Sequence, residues 1–245
     1  MGKSGRAYIN INPLVNFRNF IEYATAGNIS PTSVVFPSVG EAEIIRLTYS
    51  MSEQIKHECG IALIRLRKPY QYYIDKYGTP MYGLNKLYVL MEKQHNRGQD
   101  GAGVATIKID VPEGVRYISR YRSVDPQPVA KIFSKINKKF RKSLSGHKEK
   151  ALDSFWLQNN VAFSGEILMG HLRYGTHGSN EIENCHPFLR QSNWKSRNLV
   201  MAGNFNMTNV DELFNKLVQL GQHPKEKNDT VTVLEKIGHF LDEEN

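Results

Sequence analysis

The pattern of apolar and polar positions divides the chain near residue 50. Through residues 1–50 the apolar side chains keep no sustained period, and Pro13, Pro31 and Pro37 interrupt them. Beyond that point the pattern sharpens. Cys59-Gly-Ile-Ala-Leu-Ile-Arg-Leu66 is an apolar run of strand length, and Leu84, Leu87, Tyr88 and Met91 recur at helical spacing, which predicts a helix over 84–95. Gly103 to Ile109 and Val115 to Tyr121 read as strands on either side of a turn at Pro112-Glu-Gly114. Ile132, Phe133, Ile136 and Phe140 then put apolar groups on one face of a helix whose other face carries lysines. Val161 to Tyr174 and Asn198 to Phe205 are further strand candidates. Asn209 is positioned as a helix cap, with Glu212 three residues on and Gly221 as the stop; a last helix is expected from about Thr230 to Leu241, behind Asp229. Strands in pairs, then helices, then strands again describe a layered α+β domain.

Composition changes this picture little. A chain of 245 residues with 40% hydrophobic side chains is long enough to bury a sizeable core. It has no apolar run of membrane-spanning length, and residues 1–20 lack the form of a signal peptide, so a cytoplasmic protein with no membrane attachment is expected. The formal charge of +8 is local: Lys131 to Lys150 holds eight basic residues against the single acid Glu149. That cluster reads as the solvated face of a basic insertion at about 125–155. No aromatic platform is interleaved with it, so nucleic acid is not an expected partner. Two cysteines, Cys59 and Cys185, cannot supply a disulfide framework or a CxxC zinc site, and no metal is expected. They raise the question of a reactive thiol instead.

Six short segments carry the chemistry: His57-Glu-Cys-Gly60, Arg97-Gly-Gln-Asp-Gly-Ala-Gly103, Gly170-His-Leu-Arg-Tyr-Gly-Thr176, Asn184-Cys-His-Pro-Phe188, Asn204-Phe-Asn-Met-Thr-Asn209 and Asn228-Asp-Thr230. Singly each is weak. In this order, over roughly residues 55–241, they resemble the class II glutamine amidotransferase domains, whose nucleophile is an N-terminal cysteine. Arg97 to Gly103, Arg173-Tyr174 and the Met207-Thr-Asn209 ending resemble amidophosphoribosyltransferases more than glucosamine-phosphate synthase. His177-Gly178 is closer to the synthase, which stays as the alternative, together with a catalytically inactive glutamine-binding module.

The resemblance implies a four-layer αββα sandwich of the N-terminal-nucleophile hydrolase type over 59–245. It also implies hydrolysis of glutamine to glutamate and ammonia through a thioester on Cys59, feeding phosphoribosylamine synthesis in purine biosynthesis. The chemistry explains the residue types. A thiolate is the attacking form of cysteine. An α-amino group titrates at about 7.7–8.0, so the amine of an N-terminal cysteine can be its own general base. Asn204 and the Phe205 N–H are matched to the oxyanion hole in a gapless alignment, where Gly203 and Phe205 replace the usual His and Gly. A one-residue insertion would instead put Ala202 at the Asn position. Arg173 is matched to the group that grips the substrate α-carboxylate, Asp229 to the acid that takes its ammonium, and Arg97, Gly98 and Thr176 to the surrounding loops. Asp229 has a plainer reading as a helix cap. Cys185 reads as buried and inert, and His57 and His171 as non-catalytic.

Two departures bear on organisation. Cys59 is not the first encoded residue, so residues 1–58 are expected to be an extension or propeptide, with Met51 as an alternative start. The transferase half of the family, with its phosphate loop, has no counterpart in this sequence. The expected partners are therefore glutamine and a phosphoribosyl-transferase domain or subunit, with a homo-oligomer left open and no cofactor in this domain.

Overall fold

The run from Gly60 forms a strand because its apolar side chains alternate in burial, with Ala62 inside and Ile61 and Leu63 outside. The computed structural model describes residues 58–175, 181–205, 207–224 and 226–243, all in the unit Lys56–Asn245. Thr176 and Met51 lie outside the described residues. Strands β1 (Gly60–Arg65), β2 (Gly101–Ile107), β3 (Ile118–Ser123) and β4 (Ile167–Arg173) make one antiparallel sheet in the order β1-β4-β2-β3. Gly60 pairs with Leu172 and Gly101 with Arg173, so the head of β1, the head of β2 and the tail of β4 meet at one end of the sheet.

Two helices cover one face of that sheet. Helix α2 (Tyr82–Lys93) buries Leu84, Leu87 and Met91, and helix α3 (Pro128–Ser143) buries Val129, Ile132, Phe133, Ile136 and Phe140. Both sets join Ala62, Val104, Leu168 and Leu172 in the main core. The segment expected as a basic insertion is thus a core layer: its lysines face out, while its apolar stripe completes the packing over β2 and β3. Pro128 opens α3 and Arg141 and Lys142 lie in its last turn, both favourable for a helix of this polarity.

Strands β5 (Phe188–Arg190) and β6 (Leu199–Met201) form a separate antiparallel pair, against which helix α6 (Asp229–Glu243) packs through Val231 and Leu234. Helix α5 (Val210–Gln219) lies against α6. The fold is therefore α+β, and among the described residues no helix is long and apolar enough to cross a membrane.

Several local expectations need correction. Helices α1 (Tyr70–Tyr77) and α4 (Ser154–Asn160) were not foreseen, being two turns each and rich in aromatic or amide side chains. The strand expected from Val161 begins only at Ile167, because Phe163 takes a left-handed φ of 67° and turns the chain. The strand expected over 198–205 is limited to Leu199–Met201, leaving Asn204 and Phe205 in an exposed loop. Asn209 sits at the start of α5 but makes no side-chain capping bond, whereas Gly221 does end that helix region, at φ 83°.

Candidate active site

The Arg97 to Gly103 motif follows α2 through a single 3-10 turn, His95–Arg97, and delivers its backbone against the end of β4. A Cβ at Gly98 would lie 2.6 Å from both the carbon and the oxygen of the Arg173 carbonyl, so only glycine fits there. Asp100 then clasps the turn that leaves β4: its N–H donates to the Arg173 carbonyl (3.1 Å) and its Oδ2 accepts from the Gly175 N–H (2.7 Å). Arg97 is exposed and its guanidinium lies 3.6 Å from the Glu58 carboxylate, an ion pair of little energetic weight.

Cys59 stands at the head of β1, beside the same turn. The Tyr174 N–H donates to its sulfur at 3.5 Å, and the thiol points back to the Tyr174 carbonyl at 3.9 Å. Two motifs separated by 115 positions thus meet, and Arg173 is the residue immediately before that contact. Arg173 itself is buried at the tail of β4. Cys59 is half-buried and free, whereas Cys185 is fully buried, and burial pushes its thiol up from the ordinary value.

The Asn184 to Phe188 segment packs over β2. A Cβ at Gly101 would meet the Cys185 sulfur at 2.5 Å, and one at Gly103 would collide with the His186 carbonyl. Two arginines of β3 hold the segment from the side: Arg122 Nη1 donates to the Cys185 carbonyl (2.8 Å) and Arg120 Nη1 to the Pro187 carbonyl (3.2 Å). His186 is fixed between them. Its Nδ1 lies 3.1 Å from His171 Nε2 and its Nε2 lies 2.9 Å from Thr230 Oγ1. Burial, then the neighbouring His186 and Arg173 charges, brings His171 down to about 3; burial, then Arg173 and Arg122, brings His186 down to about 4.

Asp229 begins α6, but Asn228 is the side chain that caps it, accepting from the Val231 N–H at 2.8 Å. The Asp229 carboxylate turns instead to the Met207 N–H (2.8 Å), at the end of the loop that carries Asn204 and Phe205. Phe205 is not among the residues with positive φ, so its N–H is presented from ordinary backbone. Among the described residues no hydrogen bond joins Cys59 to Asn204. The structure brings Cys59, Gly98, Arg97 and the Arg173 turn together, and separately ties Asp229 to the Asn204 loop.

Sequence reasoning quoted Asp100 and His186 within their motifs but gave neither a role. Asp100 could have been suspected as the one acid inside a glycine-rich motif. His186 stands in the Asn184 to Phe188 motif, but nothing local marked its role, because its partners are 15 and 44 positions away.

The candidate site is thus a free cysteine at the head of an edge strand, in contact with the residue that follows a buried arginine, within a mixed α+β domain. By sequence the chain is similar to amidophosphoribosyltransferases. It is 33% identical over 81 residues to the amidophosphoribosyltransferase of Archaeoglobus fulgidus, a third of this chain but 17% of that one. It is 31% identical over 134 residues to that of Methanocaldococcus jannaschii, 55% of this chain and 21% of the other. The matches span about a fifth of those relatives' length. Glutamine phosphoribosylpyrophosphate amidotransferase from B. subtilis superposes on 75% of this chain and 32% of its own, at 16% identity and a TM-score of 0.38. No protein-family model matches the chain.

Proposed function

We propose that this chain carries the glutamine-hydrolysing domain of an amidophosphoribosyltransferase, acting through Cys59. The observation that carries the proposal is the contact of the free Cys59 sulfur with the Tyr174 N–H at 3.5 Å, one residue beyond Arg173. The proposed nucleophile thus contacts the residue next in sequence to a buried arginine, whose guanidinium is the group suited to a substrate carboxylate.

In this reading the bond between Glu58 and Cys59 is cleaved, which frees an α-amine at the nucleophile. That amine takes the thiol proton, the sulfur adds to the glutamine side-chain carbonyl, and the oxyanion is met by the Asn204 amide and the Phe205 N–H. The amine returns the proton as the C–N bond breaks, giving ammonia and a thioester. Water then hydrolyses the thioester to glutamate and regenerates the thiol. Arg173 and Asp229 hold the two ends of the amino-acid head, and Arg97, Gly98 and Thr176 shape the surrounding loops. The four-layer αββα sandwich belongs to the same proposal; a sheet under α2 and α3 and a smaller strand pair under α6 are compatible with it. So do a cytoplasmic setting and a phosphoribosyl-transferase domain or subunit as consumer of the ammonia.

A glutamine analogue with an electrophilic ketone in place of its amide tests this reading. It should alkylate Cys59 stoichiometrically and leave Cys185 untouched, as peptide mass mapping would show. Labelling of Cys185, or glutaminase activity that survives Cys59→Ala, would remove Cys59 as the nucleophile.

A further inference from the structure

The buried pair His171 and His186 has no part in the chemistry above, yet it joins β4, the start of α6 and the segment that precedes Asn204. His171 is two residues before Arg173 and so shares its face of β4. Thr230, the far end of the chain of contacts, directly follows Asp229. At the near end, His171 Nδ1 has no hydrogen-bond partner, and the Gly203 backbone acts on the ring in the direction of a carbonyl acceptor; with Nε2 facing His186, Nδ1 is the nitrogen left to meet it. Gly203 immediately precedes Asn204. Resting on the glutaminase reading, we propose that His171, His186 and Thr230 are positioning residues, a directional hydrogen-bonded chain that seats the Asn204–Phe205 loop against the nucleophile.

The direction follows from the donors and acceptors. With both rings neutral, each has one N–H and one bare nitrogen. If the Thr230 hydroxyl donates to His186 Nε2, then His186 Nδ1–H donates to His171 Nε2, and His171 Nδ1–H is left facing the Gly203 carbonyl. The opposite direction would set a bare Nδ1 lone pair against that carbonyl oxygen, which is repulsive. A buried N–H left without a partner is costly, so a loop shift that closes the His171–Gly203 bond is favoured. The pivot of the chain does not drift, because Arg120 and Arg122 hold the carbonyls on either side of His186 and β2 lies beneath it. The loop end beyond Asn204 is fixed by Asp229 through Met207. Closing the Gly203 side therefore determines where the Asn204 amide and the Phe205 N–H point.

The two nitrogens of His171 can be tested apart, since an asparagine amide substitutes for Nδ1 and a glutamine amide for Nε2. In protein whose N-terminus is Cys59, His171→Gln should lower kcat for ammonia release by roughly 10- to 100-fold, the scale of a misplaced catalytic group. The KM for glutamine should change less than about threefold, and His171→Asn should recover most of the lost kcat. A merely structural role predicts instead that both variants lose stability together with no difference between them in kcat. Equal kcat for the two variants would overturn the proposal. Nitrogen NMR of the wild-type histidines at pH 7 reads the same claim without activity: it should find His171 and His186 neutral and protonated on Nδ1. Protonation of His171 on Nε2 would overturn the chain even if glutamine proves not to be the substrate. Absence of any ammonia release from wild-type protein beginning at Cys59, with the Nδ1 tautomer observed, would instead count against the glutaminase reading alone.

Discussion

Gly98→Ala probes the junction on which the site rests. The added Cβ would lie 2.6 Å from the Arg173 carbonyl carbon and oxygen and 2.8 Å from the Leu172 carbonyl carbon. All three are backbone atoms of β4, so no side chain can swing away. The two segments must separate by about 0.8 Å before the new methyl reaches ordinary contact near 3.4 Å. That displacement takes the Asp100 N–H beyond reach of the Arg173 carbonyl, now 3.1 Å away, and strains the Gly175 bond to Asp100. Overpacking of this kind costs roughly 1–3 kcal/mol, and each lost bond about 1 kcal/mol more, which totals about 3 kcal/mol. For a unit of this size the melting temperature should fall by roughly 6–12 °C. Gly175→Ala is the control, because its nearest atoms would stand at 3.4 Å. Thermal unfolding by calorimetry or circular dichroism measures both. If Gly98→Ala melts within about 2 °C of the parent protein, the close packing of the motif on β4 is wrong.

Other consequences are equally direct. Arg173→Lys, which keeps the charge but loses the fork, and Asp229→Asn should each weaken glutamine binding by roughly 1.5–3 kcal/mol, read as KM or by calorimetric titration; unchanged values would withdraw both assignments. In α3, Ile136→Ala should cost about 2–5 kcal/mol of stability, while Lys131, Lys135, Lys138 and Lys142 changed together to Gln should cost less than about 1 kcal/mol, as urea unfolding would show. His171 at about 3 and His186 at about 4 are both depressed below the unfolded value of about 6.5, so the unfolded chain binds more protons between these limits. The pair's stability is fully present above about pH 6.5 and is lost as pH falls. By pH 5 the loss should reach about 2–4 kcal/mol, and equal unfolding free energies at pH 7 and pH 5 would contradict it.

Periodicity made the main sheet and its two covering helices readable, because each buries one regular face. Leu84, Leu87 and Met91 fixed α2, and Ile132, Phe133, Ile136 and Phe140 fixed α3. The same lysines that made α3 look peripheral hid its place in the core, since charge on one face says nothing about what the other face covers. Short elements escaped, because Tyr70–Tyr77 and Ser154–Asn160 are too brief to show a period and are held by tertiary contacts. At the candidate site, motif order singled out Cys59 and Arg173 but could not reveal Asp100 as the clasp on the turn beside them. Asp229 was open to reading as a cap until Asn228 was seen to take that role and release its carboxylate to Met207. The buried histidine chain depends on three segments distant in sequence, which only the fold brings within 3.1 Å.

The central claim is that the α-amine of Cys59 is the catalytic base, and an N-terminal comparison tests it most directly. Protein beginning at Cys59 and protein retaining Glu58 would be prepared, verified by intact mass and checked for equal folding by circular dichroism. Ammonia release from glutamine would then be measured for both. The account predicts turnover from the form that begins at Cys59 and none from the folded form that still carries Glu58; full turnover with Glu58 in place would contradict it.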